Sequence, residues 1–242
     1  MITPLSWLAP GDPFPDTELT WGALDPVPGL LAAGGALDVP TLLAAYRNGI
    51  FPWFGESQPI LWWSPDPRMV LDVAHFRLHR SLRRRVRDFA RDPRCEIRFD
   101  SAFKQVILAC AQIPRPGQIG TWIVAPMVDA YVALHRAGYA HSVETWIDGE
   151  LAGGLYCVGI GRAVFGESMF ARRTDASKIA LTALVAFCRQ HGIARIDCQQ
   201  KTAHLASLGA REIPRTEFLA DLRNACALPA PAAWRFDSRY WV

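Results

Sequence analysis

The dipeptide Asp148-Gly149, set between the runs His141–Ile147 and Glu150–Val158, constrains the fold more than any other feature of this chain. Two-residue loops of this kind take positive φ at both positions and join antiparallel strands whose twist they match. A third run, Arg162–Glu167, follows the Gly159/Gly161 turn, so the middle of the chain reads as an antiparallel meander. Shorter strands are expected over Met69–Val73, Cys95–Phe99 and Ala194–Cys198. Helical patterns lie on both sides of the meander. Before it come Leu78–Ala90, Ser101–Gln112 with Asp100 as its cap, and a helix opened by Pro126 and closed by Gly138. After it, Asp175–Gln190 carries Ala176, Ile179, Ala180, Ala183, Leu184 and Phe187 at the spacing of a sheet-covering helix. Lys201–Leu208 and Thr216–Cys226 complete the set, and the order defines an α+β chain.

Upstream, residues 1–38 are rich in Pro and Gly with little periodicity and read as a loop-rich segment. Asp38 caps a first helix that Asn48-Gly49 ends. Ile50–Arg68 then packs Trp53, Trp62 and Trp63 among prolines, and a domain boundary is expected near Ser64–Pro67. A Pro/Gly loop is expected over Ile113–Gly120.

Half of the 242 residues are hydrophobic, which excludes a disordered chain. Apolar stretches such as Val27–Leu37 are broken by proline and glycine and fall short of the roughly 20 residues of a membrane span. No basic segment precedes an apolar run at the N-terminus, so a cytoplasmic setting without membrane attachment is expected. The six cysteines never fall in CxxC pairs and read as reduced, mostly buried thiols. The histidines show no metal-ligand spacing, so no metal is expected. Neither GxxxxGK[ST] nor a post-strand GxGxxG is present, which removes support for nucleotide hydrolysis and dinucleotide chemistry. Gly166–Phe170 approaches a nucleophile elbow but lacks its second glycine.

Three features carry chemistry. Lysine occurs only at Lys104, Lys178 and Lys201, so 23 of the 26 basic residues are arginine. Arg80, Arg83, Arg84 and Arg87 share one helical face opposite Leu82, Val86 and Phe89. Like charges at these spacings repel, and a polyanion would relieve that repulsion; a solvated face is the plainer alternative. Trp53, Trp62 and Trp63 offer base stacking or, more simply, a hydrophobic cluster between domains. Glu167 ends an apolar strand, and Asp197 and Gln199 fall at alternate positions of another, where a carboxylate held by an amide could act as general base. Each acid could equally be a buried structural group.

The strings AYRNGIFPWF, LWWSPDPR, GTWI, GYAHSVETW, LAGGLY, FGESMF, ASK and IDCQ, in that order, resemble the bacterial leucyl/phenylalanyl-tRNA–protein transferases from about Pro28 to the C-terminus. That resemblance implies a small N-terminal domain, residues 1–66, and a GNAT-like (acetyltransferase-like) catalytic domain, residues 67–242, with a mainly antiparallel sheet flanked by helices. It implies transfer of Leu or Phe, and Met less well, from Leu-tRNA or Phe-tRNA to proteins beginning with Arg or Lys, creating an N-degron. By matching position it assigns Tyr46, Trp53, Trp122 and Tyr131 to the 3′ adenosine and pocket entrance. The same resemblance implies that Leu155, Leu184 and Ile196 line an apolar pocket for the transferred side chain, that Glu167 is the carboxylate of the GESMF string, and that Asp197 and Gln199 are the catalytic acid and amide. Arg80, Arg83, Arg84 and Arg87 would then hold tRNA phosphates. Val164 departs from the family, which often has an aromatic residue there, and leaves the Leu/Phe preference open. Because the aminoacyl ester is already activated, no cofactor is expected, and a monomer needing only aminoacyl-tRNA and acceptor protein is the simplest form. Two alternatives stay open: a coenzyme A-dependent N-acyltransferase, although Arg172–Ser177 lacks the glycines of its pyrophosphate turn, and a non-catalytic tRNA-binding module.

Overall fold

The computed structural model describes residues 4–113 and 121–241, so most of the expected 113–120 loop lies outside the described residues. A small sheet forms first, with strands β1 (Ser6–Leu8), β2 (Leu30–Gly34), β3 (Phe51–Pro52) and β4 (Leu61–Trp63) in the order β1-β2-β4-β3. Residues 1–38 are therefore not merely loop. Their apolar run Leu30–Ala33 is buried because β4, thirty residues away in sequence, pairs with it, a non-local contact that periodicity does not report. Helix α1 (Val39–Arg47) fits between β2 and β3, with the Asp38 carboxylate accepting from the Thr41 N–H as expected.

Beyond them come β5 (Arg68–Asp72), α2 (Arg80–Arg91), β6 (Cys95–Phe99), α3 (Phe103–Gln112), α4 (Ala125–Arg136), β7 (Ala140–Ile147), β8 (Glu150–Ile160), β9 (Ala163–Ala171), α5 (Ala176–Gln190), β10 (Arg195–Gln199), α6 (Ala203–Ser207), β11 (Arg211–Ile213) and α7 (Arg215–Ala227). Their strands make a second sheet in the order β11-β5-β10-β9-β8-β7-β6. Asp148 and Gly149 take φ of 54° and 75°, the geometry anticipated for the β7–β8 hairpin. All neighbours are antiparallel except β9 and β10, which run parallel.

Alternation along the strands sends side chains to two cores. On one face α2 and α5 cover the sheet: Leu82, Val86 and Phe89 join Ile179, Leu184 and Phe187 over Val143, Leu155 and Ile196. Gly153 permits this approach, since a Cβ there would stand 2.6 Å from that of Ala176. The C-terminal segment closes the same face, with the Trp234 ring stacked 3.8 Å from that of His141. On the other face α3, α4 and α7 share a continuous core with the small sheet, in which Tyr46, Trp62, Tyr131, Phe165 and Phe218 meet.

Asp100 does not cap α3. It sits at φ 59° and turns back to β7, accepting from the Ser142 N–H at 2.8 Å and bonding the His141 ring. The acceptor at that helix start is Glu144, fully buried on β7, which takes the Ala102 N–H at 2.7 Å together with Ser101, Ser142 and Trp146. A carboxylate facing four donors replaces the water it lost. Glu144→Ala takes the acceptor from the Ala102 N–H, Ser142 and Trp146, with only exposed Ser101 free to turn to water, and thermal or denaturant unfolding should show a loss of at least about 3 kcal/mol. A loss below about 1 kcal/mol contradicts this account of the helix start.

Candidate active site

Two β-bulges create the site. In the β8–β9 ladder Tyr156 faces Ser168 while Cys157 faces Gly166, so Glu167 is the extra residue. In the β5–β10 ladder Val70 faces Asp197 while Met69 faces Gln199, so Cys198 is extra. Bulges bend a strand and re-aim its side chains. The parallel contact between β9 and β10 is correspondingly short, Val164 opposite Ile196 and Phe165 opposite Asp197, and just past it Glu167 and Gln199 meet. Glu167 thus lies within β9, which continues to Ala171, rather than at a strand end as expected. The simple alternation expected for Asp197 and Gln199 also fails, because Gln199 adopts φ 56°.

Glu167 is held from three elements. Tyr46 of α1 donates to Oε1 at 2.7 Å, Tyr131 of α4 donates to Oε2 at 3.2 Å, and the Gln199 amide donates to Oε1 at 3.1 Å. The two phenolic oxygens also contact each other closely. Three oxygen–oxygen contacts therefore share two phenolic protons, and a proton on Glu167 would complete the set. Burial pushes the Glu167 carboxyl up to about 8, against the pull of the Tyr46 hydrogen bond, and Asp197's charge adds to the rise. Burial also raises both phenols, so they stay protonated.

Asp197 is engaged differently. Arg68, at the start of β5, donates Nε to Oδ1 at 2.8 Å and Nη2 to Oδ2 at 2.6 Å; the guanidinium is fully buried and the carboxylate nearly so. Gln199 reaches Asp197 through its backbone N–H at 2.9 Å, while its side-chain amide serves Glu167. The amide-held base expected from sequence thus takes another form: the amide contacts the other acid. Arg68 received no role from the sequence. An arginine opening an apolar strand was the available signal.

The remaining expected residues fall into three groups. Trp53 and Trp122 are half-buried against the core that holds Tyr46 and Tyr131. Trp62 and Trp63 are buried, donating to the Gly34 and Trp53 carbonyls, which leaves Trp53 as the member of that trio able to stack on a base. Leu155, Leu184 and Ile196 lie together in the opposite core, beneath α5. Arg80, Arg83, Arg84 and Arg87 all face solvent on α2, with only an Arg84–Asp88 contact of 3.8 Å among the ion pairs of these four to described residues. Among the described residues no group of three or more His, Cys, Asp or Glu could hold a metal ion. No helix there is long and apolar enough to cross a membrane.

A buried carboxyl that holds its proton, set beside aromatic side chains on the bulged strands of an α+β scaffold, marks an enzyme-like functional site. The family model for the leucyl/phenylalanyl-tRNA protein transferase matches residues 70–223, and that for its N-terminal domain matches residues 35–66. The leucyl/phenylalanyl-tRNA–protein transferase of Polaromonas sp. is 65% identical over 238 residues, 98% of this chain and 93% of the relative. That of Burkholderia pseudomallei is 58% identical, covering 96% of this chain and 91% of its own. The chain belongs to this family. Among solved structures FemX overlays with a TM-score of 0.46 at 10% identity, over 72% of this chain and 66% of that one, a likeness too loose to argue from.

An unfolded glutamate ionises near 4.5, whereas folded Glu167 holds its proton to about 8. Between those values the folded state carries the extra proton, so its contribution to stability falls as pH rises. Glu167→Gln mimics the protonated acid and cannot ionise. Denaturant unfolding should show the stability gap between the variant and the parent moving in the variant's favour from about pH 5 to about pH 8. A constant gap contradicts the retained proton.

Proposed function

We propose that this protein transfers Leu or Phe, and Met less well, from Leu-tRNA or Phe-tRNA to the α-amine of proteins beginning with Arg or Lys, so creating an N-degron in the cytoplasm. The observation that carries this reading is identity of 65% across nearly the whole chain with a protein named leucyl/phenylalanyl-tRNA–protein transferase; the acceptor rule and the N-degron follow from the family resemblance. We also read residues 1–66 as the small N-terminal domain and 67–242 as a GNAT-like catalytic domain acting as a monomer. In support, the second sheet begins at Arg68 and contains a single parallel pair.

The ester linking an amino acid to tRNA is already activated, so the enzyme has to align two substrates and move one proton. As the amine nitrogen bonds the ester carbonyl carbon, it loses a proton, and the C–O bond to the ribose breaks with the ribose oxygen gaining one. A carrier between these atoms keeps the step balanced, and it works best with a pKa near the working pH. Glu167, held near 8, suits that role better than Asp197, whose oxygens are occupied by Arg68 and the Gln199 N–H. In this scheme Asp197 and Gln199 orient the carrier. Trp53 and Trp122, half-buried, are the members of the aromatic set open to the terminal adenosine, with Tyr46 and Tyr131 buried behind them on Glu167. Leu155, Leu184 and Ile196, assigned to the transferred side chain by resemblance, are packed in the core beneath α5, so that role requires α5 to yield; size discrimination there is worth about 1–3 kcal/mol per methylene. Once Glu167 has given up its proton, its negative charge also favours a basic first residue on the acceptor.

The coenzyme A alternative loses support because the N–H groups of Arg172 and Arg173 both donate to the Ala152 carbonyl, at 2.8 and 3.1 Å. They are spent on the sheet instead of facing a pyrophosphate.

Labelled Phe should pass from Phe-tRNA to a short peptide beginning with Arg and not to the same peptide beginning with Ala. Transfer to neither, with tRNA still bound, overturns the enzymatic reading. Replacing Arg80, Arg83, Arg84 and Arg87 together by Gln should flatten the dependence of log affinity for tRNA on log salt by roughly 3, at about 0.7–0.9 per phosphate contact. An unchanged slope removes that face from the tRNA site.

A further inference from the structure

Arg68 is more constrained than any other charged side chain of the site. Its guanidinium lies between two rings, 4.8 Å from the centroid of Phe51 and 4.6 Å from that of Phe218. Both edges are used: one pairs with Asp197, and Nη1 donates to the Gly49 carbonyl at 3.0 Å, just past the end of α1. It is fully buried, so water satisfies none of its donors. A cation fixed on all sides acts only through what it touches, and it touches two routes to Glu167. One runs through Asp197 to the Gln199 N–H, and the Gln199 amide then reaches Glu167. The other runs through Gly49 to α1, which carries Tyr46 against the same Glu167 oxygen.

We propose that Arg68 is a positioning residue of the transfer site, which by holding Asp197 and the end of α1 fixes both Gln199 and Tyr46 on Glu167 and balances the charge Asp197 places beside it. This rests on the reading of Glu167 as the proton carrier. The charged and titratable groups facing Glu167 are Tyr46 from α1, Arg68 from β5, Tyr131 from α4, Cys157 from β8 and Asp197 from β10. Both phenols and the Cys157 thiol are pushed up by burial and stay neutral around the Glu167 midpoint, which leaves the Arg68–Asp197 ion pair as the charge beside it. Its two members act in opposite senses: Asp197 raises the Glu167 carboxyl and Arg68 lowers it.

Removing one member of the pair should therefore move Glu167 one way, and removing the other should move it the opposite way. General loss of packing around the site would instead disturb both variants alike. The experiment is a carboxyl-carbon NMR titration of protein carrying ¹³C-labelled glutamate, with Glu167→Gln identifying the resonance, in the absence of substrates. Asp197→Asn keeps the shape and leaves Arg68 uncompensated, so the midpoint falls. Arg68→Met fills the space between the two rings and leaves Asp197 uncompensated, so the last proton of the Glu167–Asp197 pair leaves at higher pH than in the parent. The double variant falls between the two. Midpoints that coincide in all variants, or that move in the same direction for both single substitutions, overturn the proposal. If Arg68→Met does not fold, the Asp197→Asn titration decides alone, since a midpoint that stays or rises there is incompatible with an uncompensated Arg68. Because the titration contains no tRNA or peptide, its failure leaves the transfer reaction standing, and a lack of transfer by the parent protein overturns that reaction without altering the titration.

Discussion

The buried pair between Arg68 and Asp197 is the contact around which the site is assembled. It joins the first strand after the small sheet to the strand that carries Gln199, and through Gly49 it reaches α1. A buried ion pair need not stabilise a fold, since desolvation offsets much of the attraction. Removing one partner alone is a different matter and costs about 3–5 kcal/mol, because the other charge stays behind unpaired. The stacking of Phe51 and Phe218 on the guanidinium compensates part of the desolvation and comes from the small sheet and from α7 respectively. The pair is therefore a geometric constraint first, and it binds segments that are far apart in sequence.

Around it, the two acids are given different kinds of donor. Asp197 accepts from a guanidinium and a backbone N–H, whereas Glu167 accepts from two phenols and an amide, all neutral. Two carboxyls in one site separate in this way when their donors differ in charge. The bulges at Glu167 and Cys198 bring the acids close without placing them on the same strand. Similar separation of roles recurs across the sheet: hydrogen-bonding groups collect on the side of α1 and α4, and the apolar residues Leu155, Leu184 and Ile196 collect beneath α5.

Local signals made much of the fold legible. The Asp148-Gly149 hairpin, the stripe of α5 and the Asp38 cap depend on residues close in sequence, and they stand where expected. Helix α2 begins at Arg80 and α6 spans only Ala203–Ser207, small differences of the kind expected at helix ends. Other features were hidden because their causes are remote. The burial of Leu30–Ala33 needs β4, and the α3 start needs Glu144 from β7, so Asp100 was the natural but mistaken choice. The site residues Tyr46, Tyr131, Glu167, Asp197 and Gln199 were reachable through family resemblance, whereas their hydrogen-bond pattern was not. Two bulges set that pattern, and a bulge leaves no mark in a run such as VFGESMF. Arg68 went unassigned for the same reason: nothing near it in the chain indicates that its partner is 129 residues away.

The shared core on the side of α1 has a consequence for how the chain is made. Leu8, Tyr46, Trp62, Tyr131, Phe165 and Leu222 belong to one apolar cluster. A ribosome releases the small sheet early, but the residues that cover it from α7 leave the exit tunnel close to the end of synthesis. Contacts of such long sequence separation form late and slowly. Until then the emerging chain exposes a tryptophan-rich surface with no partner, the condition under which nascent proteins aggregate or engage chaperones. The same remoteness that makes the site rigid once formed therefore ties its formation to the last helix, so that a chain cut short before α7 would carry the Asp197 and Glu167 sequences without the packing that positions them.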